Sequence, residues 1–169
     1  MDAVELRAMQ APIKERYKQD PSAAVITLKA KGSTDTEGLT CKVETGRALA
    51  VAGLHPATGG SGLELCSGDM LLEALVACAG VTLKSVATAI DVPLKHGVVF
   101  AEGDLDFRGT LGVDKEAPVG FAEIRVRFEV DTDAPQEKLD LLLKLTERYC
   151  VVYQTIKNGP KVSVSMKRI

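Results

Sequence analysis

Two segments of the chain carry the clearest periodicity. Residues 121–131, FAEIRVRFEVD, alternate: Phe121, Glu123, Arg125, Arg127 and Glu129 fall on one side, and Ala122, Ile124, Val126, Phe128 and Val130 on the other. That is the pattern of a strand with one face on a core. Residues 67–90, SGDMLLEALVACAGVTLKSVATAI, instead keep apolar side chains on nearly every side between residues 70 and 81. A helix that is apolar all round is buried rather than packed on one face. Ser67 is its expected N-cap, Asp69 suits the positive end of its dipole, and Pro93 helps to stop it.

Weaker patterns fill in the rest. Residues 1–20 read as a short helix or arm, broken near Pro12 and Pro21. Strands are expected at 23–30 (AAVITLKA, ended by Gly32 and the polar run STDTEG), 39–45 (LTCKVET) and 47–54 (RALAVAGL). The run HPATGGSG, residues 55–62, is a loop; it has neither G-x-G-x-x-G spacing nor a P-loop lysine, so a plain connection is favoured over a phosphate cradle. Residues 96–111 predict a long strand bent at Gly103, joined through VDKEAPVG to the strand at 121–131. Thr132 or Asp133 should cap a helix over 135–149 that buries Leu139, Leu142, Leu143 and Leu145. CVVYQTIKNG predicts a further short helix ending at Gly159, and PKVSVSMK, residues 160–167, alternates as a closing strand. No internal repeat is present. The expected organisation is an arm or helix over residues 1–22 and one α+β domain over 23–169.

Composition narrows the function classes. The 169 residues (18.0 kDa) suit one domain. Aromatic residues are 4% with no Trp, so the core must come from Ala, Val, Leu and Ile, and a stacking platform for single-stranded nucleic acid is not expected. The balance of 21 Lys and Arg against 23 Asp and Glu gives a net charge of −2, which supports no general attraction to nucleic acid or an acidic membrane. The beginning, MDAVELRAMQ, lacks the layout of a signal peptide. The longest mostly apolar stretch, Met70 to Val81, carries Glu73 and is too short to span a bilayer. A cytoplasmic protein is the expectation, and its four cysteines would then be thiols rather than a disulfide framework.

Those cysteines are Cys41, Cys66, Cys78 and Cys150. None forms a C-x-x-C pair, and the only histidines are His55 and His96, so neither a zinc site nor a thioredoxin-like motif is expected. Unpaired cysteine is commonly a small buried hydrophobe, and that reading is the default for all four. A reactive thiol needs a polar partner, because apolar burial raises its pKa. The same-face neighbours of Cys78 are Leu71, Ala74, Leu75, Val81, Thr82 and Ser85; none is basic, so a cation must come from elsewhere in the chain or from another subunit. Cys150 sits at a helix break behind Arg148 and Tyr149. His55 could act as a base for a cysteine nucleophile in a hydrolase or transferase, but no sequence feature brings it to Cys78. Asp104 and Asp106 lie two apart on the predicted strand and read as a polar strand face rather than a catalytic pair.

The stretch SGDMLLEALVACAGVTLKSVA, one helix beyond a glycine-rich loop, resembles the first signature of the OsmC/Ohr family. The stretch GFAEIRVRFEVDTDAPQEKLDLLLKLTERYCVVYQTI resembles the second, a strand, a helix and a cysteine opening C-x-V-x-x-T. The two cysteines are 72 positions apart, as suits the family, and the likeness runs over roughly residues 23–167. What the resemblance implies is an α+β fold of antiparallel sheets wrapped around long central helices in an intertwined homodimer. It also implies a thiol peroxidase acting on organic hydroperoxides, with Cys78 as peroxidatic and Cys150 as resolving cysteine. The reductant would be a dithiol such as a lipoylated protein, and no metal or organic cofactor would be needed. In many members a Glu pairs with an activating Arg; here Gly68 and Asp69 occupy the Glu region, with Asp69 roughly 13 Å from Cys78 along one helix and on its opposite side. Arg47 is the first choice for the arginine and Arg148 the second. Val151 stands where many relatives have Pro. The alternative is an OsmC-like protein without peroxidase activity, a small-ligand-binding or redox-sensing stress protein.

Overall fold

The computed structural model describes residues 2–20, 31–34, 41–44 and 49–168. An N-terminal helix α1 (Ala3–Gln19) opens with a capping box: Glu5 N–H donates to Asp2 Oδ1 at 2.8 Å, and Asp2 N–H to Glu5 Oε2 at 2.9 Å. Pro12 lies within this helix rather than breaking it as expected. Proline forfeits one backbone hydrogen bond but has a helical φ, and the turns on either side continue. Ala3 and Leu6 are buried, and α1 packs on the central helix.

A four-stranded sheet follows: β1 (Lys31–Thr34), β2 (Cys41–Glu44), β3 (Leu49–Gly53) and β4 (Leu65–Cys66), in that order. The first two pairings are antiparallel and the last is parallel, joining Gly53 to Cys66. The strand expected at 23–30 lies outside the described residues. β1 occupies a segment read as polar loop; its ladder to β2, Lys31 opposite Glu44 through Thr34 opposite Cys41, is made by the backbone and needs no apolar alternation. The glycine-rich run contains one 3₁₀ turn at Pro56–Thr58, then a loop.

The central helix α2 (Ser67–Ala89) has Cys66 as N-cap, not Ser67, and no side-chain cap. Cys66 is held extended by its pairing to β3, so the helix starts one residue later. At 23 residues, with a mean hydropathy of 1.7 over its most apolar window, α2 exceeds the stretch judged too short for a membrane. Length and hydropathy are equally those of a central core helix, and Leu75, Ala79, Leu83, Val86 and Ala87 pack it inside the chain. The expectation of all-round burial fails within this chain. Val81 is 74% exposed and Leu71 40%, because the hairpin and helices that pack on α2 among the described residues leave that side uncovered.

That hairpin is β5 (His96–Leu105) with β6 (Phe121–Asp131), antiparallel from His96 opposite Asp131 to Leu105 opposite Phe121. Ile124, Val126, Phe128 and Val130 face the core as predicted. Phe121 does not stay with the polar face. A register shift at Asp104/Leu105 leaves Ala122 without an opposite residue and turns Phe121 inward. Its ring lies over Gly103, where a β-carbon would come within 2.5 Å of Phe121 Cδ1. Glycine at 103 is thus required by a close approach. The strand ends at Leu105, short of residue 111; Asp106 caps the single-turn helix α3 (Phe107–Thr110) instead.

Helix α4 (Gln136–Tyr149) starts after Pro135, not after Thr132 or Asp133. Thr132 spends its oxygen on the Ala134 N–H at 3.1 Å, and Asp133 pairs with Lys95 at 2.6 Å. Leu142 is buried and Leu139 and Leu145 pack on the same core, while Leu143 is 45% exposed. Helix α5 (Val151–Asn158) follows as predicted. The closing strand does not form: residues 160–168 pair with no strand here, and Val162, Val164 and Met166 stand in solvent. An alternating segment becomes a strand only by pairing with an edge, and no described strand pairs with this one. The core divides into a cluster around Leu83, Val86 and Leu142 and another around Leu75, Ala79 and Cys150.

Candidate active site

Cys150 is the hinge between two helices, serving as C-cap of α4 and N-cap of α5. Its N–H closes α4 on Thr146 O at 3.0 Å, and its carbonyl accepts the Gln154 N–H at 2.9 Å. An extended backbone at this one residue (φ −73°, ψ 107°) turns the chain and aims the start of α5 back at α2. The side chain is 1% exposed, and Cys78, half-buried in the middle of α2, packs against it.

The two thiols have different surroundings. Burial pushes the Cys78 thiol up, but the backbone N–H of Val152, the Cys150 thiol and the backbone N–H of Val151 together bring it below the ordinary thiol value. Burial pushes the Cys150 thiol up, and although the Tyr153 N–H opposes this, the neighbouring Cys78 sulfur reinforces it. Cys78 is therefore the more readily ionised thiol of the pair, and Cys150 is the one held protonated longer. The stabilising N–H groups are the first two of α5, where unpaired donors and the positive end of the dipole favour an anion. Thr82 is one turn beyond Cys78 and donates to its carbonyl at 2.7 Å.

This arrangement predicts a pH effect. Val151→Pro removes one donor while keeping a residue suited to the first turn of a helix. The pKa of Cys78 should rise, and its alkylation by iodoacetamide near pH 7 should slow about tenfold, the size of a hydrogen bond to a charged group. The rate profile should move to higher pH. An unmoved profile, read peptide by peptide by mass spectrometry, would show that the α5 amides do not hold the thiolate.

The supporting residues expected from sequence are not gathered here. Arg47 lies outside the described residues. Arg148, in the last turn of α4, is exposed with its guanidinium 5.9 Å from the Tyr149 ring. Asp69 is in the first turn of α2, beside a groove that also includes His55, Cys66 and Phe121. Among the described residues that act on Cys78, none carries a positive charge. The backbone donors of α5 were missed because amide groups have no side-chain signature; the clue was a cysteine immediately ahead of a predicted helix. His55 stacks on Phe107 at 4.9 Å and accepts the Ala57 N–H through Nδ1. Cys66 lines that same groove, away from the pair, and Cys41 is in β2. Asp104 and Asp106 are not a carboxylate pair: Arg125 and Arg108 respectively bind them and hold both pKa values low.

Beside Cys150 is a cavity of about 260 Å³ whose wall includes Leu75, Ala79, Val126, Leu143, Glu147 and Tyr153, and not Cys78. Among the described residues no three His, Cys, Asp or Glu side chains are grouped as a metal site requires.

A family model described as OsmC-like protein matches residues 59–165, a span that holds both cysteines. The chain belongs to the OsmC-like family. Its fold agrees with solved structures of OsmC-like proteins. One from Mycoplasma pneumoniae superposes with a TM-score of 0.65 at 13% identity, covering 79% of this chain and 89% of the other. A Legionella pneumophila structure described as an organic hydroperoxide resistance protein OsmC gives 0.62 at 16% identity, covering 80% and 92%. An organic hydroperoxide resistance protein from Elizabethkingia anophelis gives 0.62 at 14%, covering 80% and 91%. No curated protein sequence matches the chain. The α+β, OsmC-like fold expected from the two signature stretches is thus observed.

Proposed function

We propose that this OsmC-like protein is a thiol-dependent peroxidase for organic hydroperoxides. The observation that carries the reading is the packing of Cys78 against Cys150 at the start of α5, where the Val151 and Val152 N–H groups lower the Cys78 pKa and burial raises that of Cys150. The Cys78 sulfur attacks a peroxide oxygen, the O–O bond breaks, and the alkoxide takes up a proton to leave as an alcohol. The resulting sulfenic acid condenses with the Cys150 thiol, releasing water and forming a disulfide. An external dithiol, such as a lipoylated protein, then accepts the oxidation by exchange and restores both thiols. A reducing compartment such as the cytoplasm suits this cycle.

The direct test treats reduced protein with one equivalent of cumene hydroperoxide. Two thiols should disappear, and a peptide pair linking Cys78 to Cys150 should be found by mass spectrometry. Oxidation that leaves these two thiols free would sink the reading. A redox-sensing protein without turnover is the second reading, favoured by the lack of a cation on Cys78 among the described residues. Sustained consumption of peroxide with excess dithiothreitol excludes it.

The proposal includes an intertwined homodimer. It is supported by the uncovered side of α2, where Val81 is 74% exposed three residues from Cys78, and by the unpaired alternation of Val162, Val164 and Met166. Burying such faces is worth roughly 25 cal/mol for each Å² of apolar surface removed from water. Val81→Glu would place a carboxylate in that interface and should convert a particle of twice 18.0 kDa into monomers. Light scattering that finds monomer for the unmodified chain overturns the dimer.

A further inference from the structure

A disulfide offers two sulfurs to a reductant, and only one attack can lead. We propose that the reducing thiol enters the cavity beside Cys150 and attacks the Cys150 sulfur, so that the mixed disulfide forms there and Cys78 leaves. The inference rests on the Cys78–Cys150 pair of the proposed cycle and specifies how that pair is reset.

Geometry selects the sulfur. Displacement at a disulfide sulfur runs nearly in line, with the incoming thiolate opposite the leaving one. Attack on Cys150 therefore needs free space on its side away from Cys78. The cavity of about 260 Å³ has Cys150 in its wall and lacks Cys78. Cys150 is otherwise packed by Leu75, Ala79 and the first turn of α5, at 1% exposure, and among the described residues this cavity reaches it.

The leaving group agrees with the geometry. A displaced Cys78 thiolate returns to the amides of Val151 and Val152, and a better-stabilised thiolate leaves faster. Attack on Cys78 would instead expel Cys150 as a buried thiolate beside its partner's sulfur.

The wall also defines the reductant. It is built from Leu75, Ala79, Val126 and Leu143, closed by the Tyr153 ring, and Glu147 is its one charged side chain. The volume is just below the range usual for small-molecule pockets, enough for one slender alkyl thiol and not for a folded thioredoxin-like surface. A carboxylate in the wall repels anionic thiols such as glutathione. These features suit the dithiol of the proposed cycle better than a bulky or anionic thiol. The dithiol's first thiolate forms the S–S bond to Cys150 and releases the Cys78 thiolate. Its second thiolate then displaces Cys150, whose sulfur takes the proton, and the dithiol departs as a cyclic disulfide carrying off the oxidation.

The test starts from the Cys78–Cys150 disulfide, prepared with cumene hydroperoxide and separately with diamide. A brief pulse of 2-mercaptoethanol is quenched with acid and N-ethylmaleimide. Trypsin places Cys150 in peptide 149–157 and Cys78, with Cys66, in peptide 48–84, and fragmentation assigns each label to its cysteine. The mercaptoethanol adduct is expected on Cys150 and the maleimide on Cys78; the reverse labelling overturns the route. Leu143→Trp, at the exposed rim, should slow reduction of the disulfide by dithiothreitol about tenfold more than it slows oxidation by hydroperoxide; equal effects overturn the cavity as entrance. Glu147→Gln should speed glutathione several-fold relative to dithiothreitol, by removing the like charge. If only diamide forms the disulfide, the peroxidase reading fails while the labelling still decides the route. If neither oxidant forms it, both fail.

Discussion

Cys78→Ser is expected to reduce hydroperoxide consumption to the background of buffer and dithiol. The nucleophile in such chemistry is a thiolate, and a serine hydroxyl does not ionise near neutral pH even with two amides beside it. The loss should not reflect unfolding. Cys78 is half-buried in the interior of α2, serine is no larger, and its hydroxyl can bond back to a carbonyl one turn earlier. Consumption of cumene hydroperoxide with dithiothreitol in excess, with circular dichroism on the same sample, separates the two explanations. A folded Cys78→Ser protein that turns over at the wild-type rate would transfer the chemistry to another thiol, with Cys41, Cys66 and Cys150 the remaining choices.

Cys150→Ser should behave differently. The first equivalent of hydroperoxide should react, and turnover should then stop, leaving a sulfenic acid on Cys78 that dimedone can trap. Opposing effects of similar size bear on stability here. A hydroxyl in this enclosed position costs about 1–3 kcal/mol if unsatisfied. Residue 150 is also the N-cap of α5, where serine accepts the amide that Tyr153 already points at the sulfur, and that cap is worth about 0.5–2 kcal/mol. The sum is near zero, so the variant should fold. Uninterrupted turnover with dithiothreitol would mean that the external dithiol reduces the sulfenic acid itself and that Cys150 is dispensable.

Sequence patterning was most informative where one residue set one environment. The strand at Phe121–Asp131 and the helix after Cys150 were legible from alternation and from a terminal glycine. It was least informative where backbone pairing or a neighbouring element decided. β1 has no apolar alternation and exists through its ladder to β2. Phe121 was assigned to the polar face because a bulge at Ala122 has no signal in an otherwise regular alternation. Ser67 was the better cap by residue type, yet Cys66 takes that position because the parallel pairing with Gly53 fixes its backbone.

The site divides the same way. Sequence alone determined that two cysteines would lie in or next to helices, in a context like that of the OsmC/Ohr family, and the family model agrees. The resemblance also pointed to carboxylate and guanidinium groups as activators, because those are the groups a sequence displays. Only the tertiary structure brought the first turn of α5 against the middle of α2 and gave the two thiols opposite tendencies to ionise. The physical reason is that a peptide N–H is the same at every position but proline. Its power to hold an anion depends on being unpaired at a helix start and aimed at a particular atom, and that is settled only when the helices pack.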